Sequence, residues 1–596
     1  MKDNVVAPLA PVTTEGSLAD LPVRNAKENA AETAFSRKTP SGGWTHVTWT
    51  QFADDVAAVA RGLLASGVEP GDRVALMSRT RYEWTLVDFA AWTAGAVVVP
   101  IYETSSAEQV QWILSDSDAH VAVVETDAHR ATVEQIRDEL PSLREIVTID
   151  GAGLDALREK GRSVPDADLA ARRAGLDRRS VATIIYTSGT TGRPKGCELT
   201  HGNFLDLAEN AIEKLGQVVL TDNASTLLFL PLAHVFARFI EVLCVAGRAR
   251  MGHSADIKNL LDDFAGFQPT FVLAVPRVFE KIFNSAEAKA SAEGKGKIFL
   301  RAATVAIAYS EALDAGGPGL ALRVQHAVFD RLVYGKLRAA MGGQVRYAVS
   351  GGAPLGTRLG HFYRGIGVVI LEGYGLTETT APVAVNTPDR IKIGTVGPPL
   401  PGTGIRIADD GEILLKGVGV FTRYHDNPTA TSDAIVDGWF HTGDIGELDD
   451  DGYLRITGRK KEILVTAGGK NVAPAVLEDR LRSHPLVSQC IVVGDQKPFV
   501  AVLVTLDEEM WPLWAKTHGV EGVTLEQART HPKVLEALQE AVDRANDAVS
   551  KAESIRKFAV LPGDFTEANG YLTPSLKLKR NVVMKDFGDE VEKLYA

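Results

Sequence analysis

The sequence predicts an α/β protein, with a large N-terminal domain of α/β subdomains and a β-rich subdomain, followed by a small α+β C-terminal domain. Helical and extended patterns alternate through the N-terminal part, short alternating strands with Asp-Gly turns take over after Gly397, and 596 residues exceed what one hydrophobic core organises.

The elements follow in order. Thr50 to Gly67 has the pattern of a capped helix, VALMS of a strand, Arg81 to Ala94 of a helix and AVVVPIY of a strand. SSAEQVQWIL and HVAVVE repeat the helix-then-strand pair, so a predominantly parallel sheet flanked by helices is expected. At Val181 a second unit begins with VATIIY, a Gly-rich loop and a helix, and further units run through Phe271 to Val275 and Val345 to Tyr374. Residues 281 to 343 are predicted mostly helical, broken at GKGK and GGPG. In GIRIADDGEILLKG, alternation and Asp-Gly turns predict the β-rich subdomain. A boundary at Gly458 divides the chain into 1–458 and 459–596. KKEILVT, a helix from Pro474 to Ser483 and the strands CIVVG and FVAVLVTL come after it. No internal repeat or low-complexity tract interrupts this order.

Composition narrows the function class. With 45% hydrophobic and 23% charged residues the chain is neither disordered nor fibrous, and a net charge of −12 opposes a general nucleic-acid surface. The three cysteines, Cys197, Cys244 and Cys490, lack ligand or disulfide spacing. The opening MKDNVVAPLAPVTTEGSLADL lacks the charge-then-apolar pattern of an export signal, and Asp88 interrupts the apolar stretch from Leu86 to Pro100. A cytoplasmic protein is expected. Neither G-x-S-x-G nor H-E-x-x-H occurs, so the common hydrolase and metalloprotease readings lack a motif.

The strongest chemical signal is TSGTTGRPKG, Thr187 to Gly196, directly after VATIIY. Backbone N–H groups around Gly189 and Gly192, the hydroxyls of Thr187, Ser188, Thr190 and Thr191, and the mobile charge of Lys195 suit phosphate oxygens. In EGYGLTET, Glu372 to Thr379, Gly373 and Gly375 permit close backbone approach. Tyr374 there offers a flat face for adenine, Thr377 a donor, and Glu378 a hard oxygen ligand for Mg²⁺. DGWFHTGD, Asp437 to Asp444, and GRKKEI, Gly458 to Ile463, come next. Asp444 has a short carboxylate able to accept both ribose hydroxyl protons.

These four motifs, in this order, resemble the adenylate-forming (AMP-binding) superfamily of acyl-CoA synthetases, luciferases and adenylation domains, and span most of the chain. The resemblance implies ATP and Mg²⁺ as cofactors, with Glu378 on magnesium and Thr187 assisting. It places Gly351, Gly352 and Ala353 of SGGAPLG beside adenine and Arg459 at the ribose or phosphates. Lys461 becomes the hinge of a mobile C-terminal domain. It makes Lys577, in YLTPSLKLKRNVVMK, the adenylation lysine. Leu576 stands where the family has glycine, with Lys579 as the neighbouring alternative. His234 in PLAHVF would orient the substrate carboxylate, which is already ionised and needs no base. Gly468 and Gly469 of TAGGKNVAP would meet the pantetheine of coenzyme A once the domain turns.

DGWFHTGDIGELDDDGYLRITGRKKEI resembles the signature of bacterial long-chain fatty-acyl-CoA synthetases, and the helical segment 281 to 343 suits that branch. The implied reaction joins a fatty acid to ATP as acyl-adenylate plus pyrophosphate, then transfers the acyl group to CoA with release of AMP. Alternatives are a fatty-acyl-AMP ligase loading a carrier protein, a luciferase-like oxygenase, or a catalytically silent nucleotide or lipid sensor. Expected partners are fatty acid, ATP and CoA, no nucleic acid, and a transient contact with the inner face of a membrane, where fatty acids partition. Oligomeric state is not legible.

Overall fold

The computed structural model describes residues 2–39, 41–187, 193–573 and 577–596. Ser188, Gly189, Thr190, Thr191, Gly192 and Leu576 lie outside the described residues.

Arg73–Met77, Val97–Ile101 and Ala119–Val124 pair in parallel, as apolar strands do when crossover helices cover both faces. With Glu145–Thr148 and Val181–Thr187 they enter a seven-stranded sheet, whose other edge turns antiparallel through Lys195–Thr200 and Arg423–Tyr424. The helix Trp49–Ala65 starts at a capping box of Thr48 and Gln51 and buries Phe52, Val56, Val59 and Leu63 in the main core. Tyr82–Thr93 is buried on nearly every side, so its sequence carries no polar stripe.

A second sheet sets Phe271–Ala274, Tyr347–Ser350 and Val369–Leu376 in parallel, with Ala381–Val385 returning antiparallel. A third joins Ser225–Leu228, Arg250–His253 and the hairpin Thr33–Lys38 with Trp44–Thr48. The β-rich subdomain is an antiparallel sheet of Thr403–Ile407, Glu412–Gly417, Trp439–Leu448, Ile435–Val436 and Leu454–Arg459, and Lys2–Val5 closes one edge.

The expected helical segment forms as Pro276–Ala292, Gly296–Asp314, Leu320–Phe329 and Gly335–Ala340, with breaks at the two glycine clusters. In the C-terminal part, Val487–Val493, Val500–Leu506 and Ile555–Val560 make a small sheet packed by Pro474–Arg482 and Pro532–Asn546. Its two apolar clusters draw only on residues from 464 onward, so this part has its own core.

One local expectation needs correction. The Gly-rich loop after Val181–Thr187 does not lead straight into a helix; it returns as the antiparallel strand Lys195–Thr200, and the helix His201–Val219 starts only there, capped by Thr200. Cys197 and Leu199 are fully buried in this strand, whereas a helix start at Lys195 would take them out of the sheet.

Candidate active site

The sheets of the N-terminal part, the β-rich sheet and the C-terminal part enclose a cavity of about 2260 Å³. Its walls collect most of the residues singled out by sequence.

On one side the strand end Thr187 faces Lys195 across the antiparallel pair, so both flank the mouth of the Gly-rich loop. Thr377 and Glu378 occupy the short turn after Val369–Leu376. The Tyr424 hydroxyl donates to Glu378 Oε1 at 2.8 Å, and Lys195 Nζ stands 4.8 Å from the Tyr424 ring centroid. Enclosure and the Glu378 carboxylate push the Tyr424 phenol far up, so it stays a donor. Sequence reasoning missed this tyrosine. The available signal was an aromatic residue between Arg423 and His425, just before a stretch with Asp426, Asn427 and Pro428.

On the adjoining wall, Gly351, Gly352 and Ala353 follow the strand Tyr347–Ser350, and Gly352 takes φ +82°, which a side chain would strain. A Cβ on Gly351 would lie 3.1 Å from the Phe236 ring. Tyr374 donates its hydroxyl to Asp444 Oδ2 at 2.6 Å, and Arg459 Nε lies 3.2 Å from Asp444 Oδ1. Asp444 and Arg459 are direct partners across two paired strands, which explains how residues 15 apart in sequence meet. The absence of a side chain at Gly375 has a cause within the fold. A Cβ there would sit 1.7 Å from the Ala381 carbonyl oxygen where the strand pair shifts register. Glu372 accepts from the Leu355 N–H at 3.0 Å, and burial pushes its carboxyl up to about 7.

His234 caps the helix Val235–Gly247 by accepting from the Phe236 N–H at 3.2 Å through Nδ1. Enclosure, with Lys577 nearby, pushes it down to about 3, so the imidazole is neutral at pH 7 and its proton sits on Nε2. Lys577 is bound twice to Thr573, its N–H donating to Thr573 Oγ1 at 3.0 Å and the Thr573 N–H donating to its carbonyl at 2.8 Å. Its side chain faces the open cavity, so it is solvent-accessible yet ringed by protein. That enclosure and Arg459 lower its pKa, while Asp444 and Glu378 oppose the shift. Lys577 shares the lining of this cavity with His234, Asp444, Glu378 and Arg459. Lys461 also lines the cavity. Gly468 and Gly469 do not; they form an exposed turn beyond Leu464–Val465.

The donor set fits a metal carried by a polyphosphate rather than a standing metal site. Among the described residues no cluster of three His, Cys, Asp or Glu side chains could hold an ion. A single carboxylate such as Glu378 suits Mg²⁺, which takes most of its ligands from phosphates and water.

Comparison with known proteins agrees in extent. A family model for AMP-binding enzymes matches residues 23–425, and one for the AMP-binding enzyme C-terminal domain matches 461–596. The long-chain-fatty-acid–CoA ligase FadD15 of Mycobacterium bovis is 54% identical over 558 residues, covering 93% of each chain. Long-chain-fatty-acid–CoA ligase 1 of Cavia porcellus is 31% identical, covering 94% of this chain and 84% of that one. Among solved structures, the anthranilate CoA ligase AuaEII with anthranoyl-AMP aligns with a TM-score of 0.74 at 22% identity, covering 96% and 98% of the two chains, a likeness of fold.

Proposed function

Because the chain belongs to the AMP-binding enzyme family, we propose that the cavity around Lys577 performs both halves of an AMP-forming ligation. The chain is a long-chain-fatty-acid–CoA ligase, and ATP with Mg²⁺ is its nucleotide substrate.

A carboxylate and a polyphosphate repel each other, so the first half needs cations on the phosphates and a fixed line of attack. Lys195, Arg459 and Lys577 supply the charge. Glu378, with Thr187 alongside, would hold the Mg²⁺ that accompanies the nucleotide, and the ion would supply positive charge to the pyrophosphate leaving group. The Gly351–Ala353 turn and Tyr374 hold adenine, and Asp444 receives the ribose hydroxyls. The neutral His234 offers its Nε2–H to the fatty-acid carboxylate, which orients the nucleophile without taking a proton. The observation that supports this reading is that Lys577 from the C-terminal part lines one cavity with His234, Asp444 and Glu378 from the N-terminal part.

The second half requires a thiol to reach the acyl carbonyl while AMP departs, a task that does not call for the adenylating lysine. We therefore assign this arrangement of the two parts to the adenylating state. Residues 459–596 act as the moving domain, Lys461 as its hinge, and the exposed Gly468–Gly469 turn as the surface that replaces Lys577 and admits pantetheine.

Lys577→Ala is expected to lower pyrophosphate exchange by about 10²–10³, the cost of one preorganised charge-stabilising donor. The same variant, given acyl-adenylate and CoA, should still form acyl-CoA at near the parent rate. Equal loss in both assays would remove Lys577 from its role.

A further inference from the structure

The helical segment 276–340 contributes little to the cavity beyond its first turns, and one of its helices is covered on only one side. Leu320–Phe329 packs against Gly296–Asp314 through its inner face: His326 stacks on Tyr309 at 3.9 Å, its Nε2 lies 2.6 Å from the Gly365 carbonyl oxygen, and Phe329 joins the neighbouring apolar cluster. Opposite that face, Leu320, Val324, Val328 and Leu332 are 79%, 57%, 51% and 54% exposed. Steps of four align them in one stripe, which continues past the end of the helix. A surface helix ordinarily turns polar residues outward. This one turns apolar side chains both ways, and none of its residues is fully buried.

Charge tells what the outer face suits. Arg331 stands exposed between Val328 and Leu332, with exposed Arg323 and Lys336 before and after it. From 320 to 336 the sole acid is Asp330, which Arg338 holds at 2.7 Å. This is a cationic, apolar strip on a chain of net charge −12.

We propose that the face carrying Leu320, Val324, Val328, Arg331 and Leu332 docks on an anionic lipid bilayer. The proposal rests on the fatty-acid reading of the cavity, since a long-chain fatty acid dissolves in such a bilayer. Apolar side chains enter the acyl boundary while the flanking cations meet headgroup phosphates, the arrangement of an interfacial helix. A second copy of the chain fits less well, because a two-fold contact of this face with itself would bring like charges at Arg331 together. A free polyanion would leave the apolar stripe uncovered.

The test is co-sedimentation of the full chain with vesicles of phosphatidylcholine alone or mixed with phosphatidylglycerol. The parent is expected to sediment with the anionic vesicles, less so as salt rises. Val324→Asp with Val328→Asp, and separately Arg331→Glu with Lys336→Glu, should each weaken partitioning by about tenfold or more. Both variants should keep parent-level acyl-CoA formation from dispersed fatty acid without vesicles, which shows that they fold. Parent protein left in the supernatant, or variants that bind equally well, would overturn the proposal. So would a dimer in sedimentation velocity that Val324→Asp splits, which gives the face to a second copy. Vesicle binding intact without any acyl-CoA formation would support this surface and fault the ligase reading instead.

Discussion

Tyr424 holds two groups of the cavity wall at once, its hydroxyl on Glu378 and its ring under Lys195. Tyr424→Phe keeps the ring and removes the donor that fixes the carboxylate. A hydrogen bond of this kind contributes about 1 kcal/mol net, so half-saturation of adenylation by Mg²⁺ is expected to rise several-fold, and Tyr424→Ala should raise it further. A magnesium titration of pyrophosphate exchange reads this directly; an unchanged midpoint in Tyr424→Phe would show that the hydroxyl does not position Glu378. At this scale, legibility depended on whether partners share a motif. Gly373, Tyr374, Thr377 and Glu378 stand in one short string and could be read together. Tyr424 meets Glu378 across 46 residues, Tyr374 meets Asp444 across 70, and no local pattern announces either bond.

At the level of elements, three pieces of the site are tied together beneath it by buried charge. Arg238, on the helix capped by His234, pairs through Nε with Asp88 Oδ2 at 2.8 Å and donates through Nη1 to Thr183 at 2.5 Å. Asp88 belongs to the helix Tyr82–Thr93 and Thr183 to the strand that ends at Thr187, so one guanidinium fixes the helix capped by His234 against both. Arg238, Asp88 and the neighbouring Glu241 are 0% exposed. Burial, with Asp88 beside it, drives Glu241 well above the usual carboxylate range; desolvation raises Asp88 too, but there Arg238 works against the shift. Removing one partner of a buried pair costs about 3–5 kcal/mol because the other charge stays uncompensated. Asp88→Ala should lose that much in denaturant unfolding, whereas Asp88→Leu combined with Arg238→Met should recover most of it. If the double variant is as unstable as the single one, packing rather than charge is what the site needs. The sequence announced Asp88 only as an interruption of an apolar run, since its partner lies 150 residues away. The helix expected from Thr50 was easier, since its cap is local chemistry at Thr48, whereas the start at Thr200 was hidden by the strand Lys195–Thr200 that precedes it.

Across the whole molecule the C-terminal part is closed on the cavity, and the seam is ionic. Arg277 reaches Asp507 and Lys281 reaches Glu509, each at 2.8 Å, while Thr104 bonds Glu567. These pairs join residues hundreds apart, so no sequence pattern could reveal which arrangement the chain takes up. Behind the seam, Glu372 and Asp479 line the cavity from the two parts, and the Asp479 charge adds to the rise of Glu372. Desolvation is the main cause that pushes both carboxyls up to about 7. Around them stand Arg482, which pairs with Asp479, the acids Glu478 and Glu280, and the Leu355 N–H on Glu372. Rotation of the C-terminal domain would return water to both carboxyls and let them fall toward ordinary values near about 4. The closed form therefore binds protons more tightly than the open one. Closure gains as pH falls through 7 toward the open-state values and is lost as pH rises through 7, by up to about tenfold per pH unit for each proton taken up. Fluorescence transfer between dyes on the two domains, followed from about pH 5.5 to about 8.5, should report this drift toward the open state. Asp479→Asn removes one of the titrating groups and should flatten the slope while leaving the Arg277–Asp507 seam in place. A pH-independent signal in the parent, or an unchanged slope in Asp479→Asn, would show that these carboxyls do not govern the hinge.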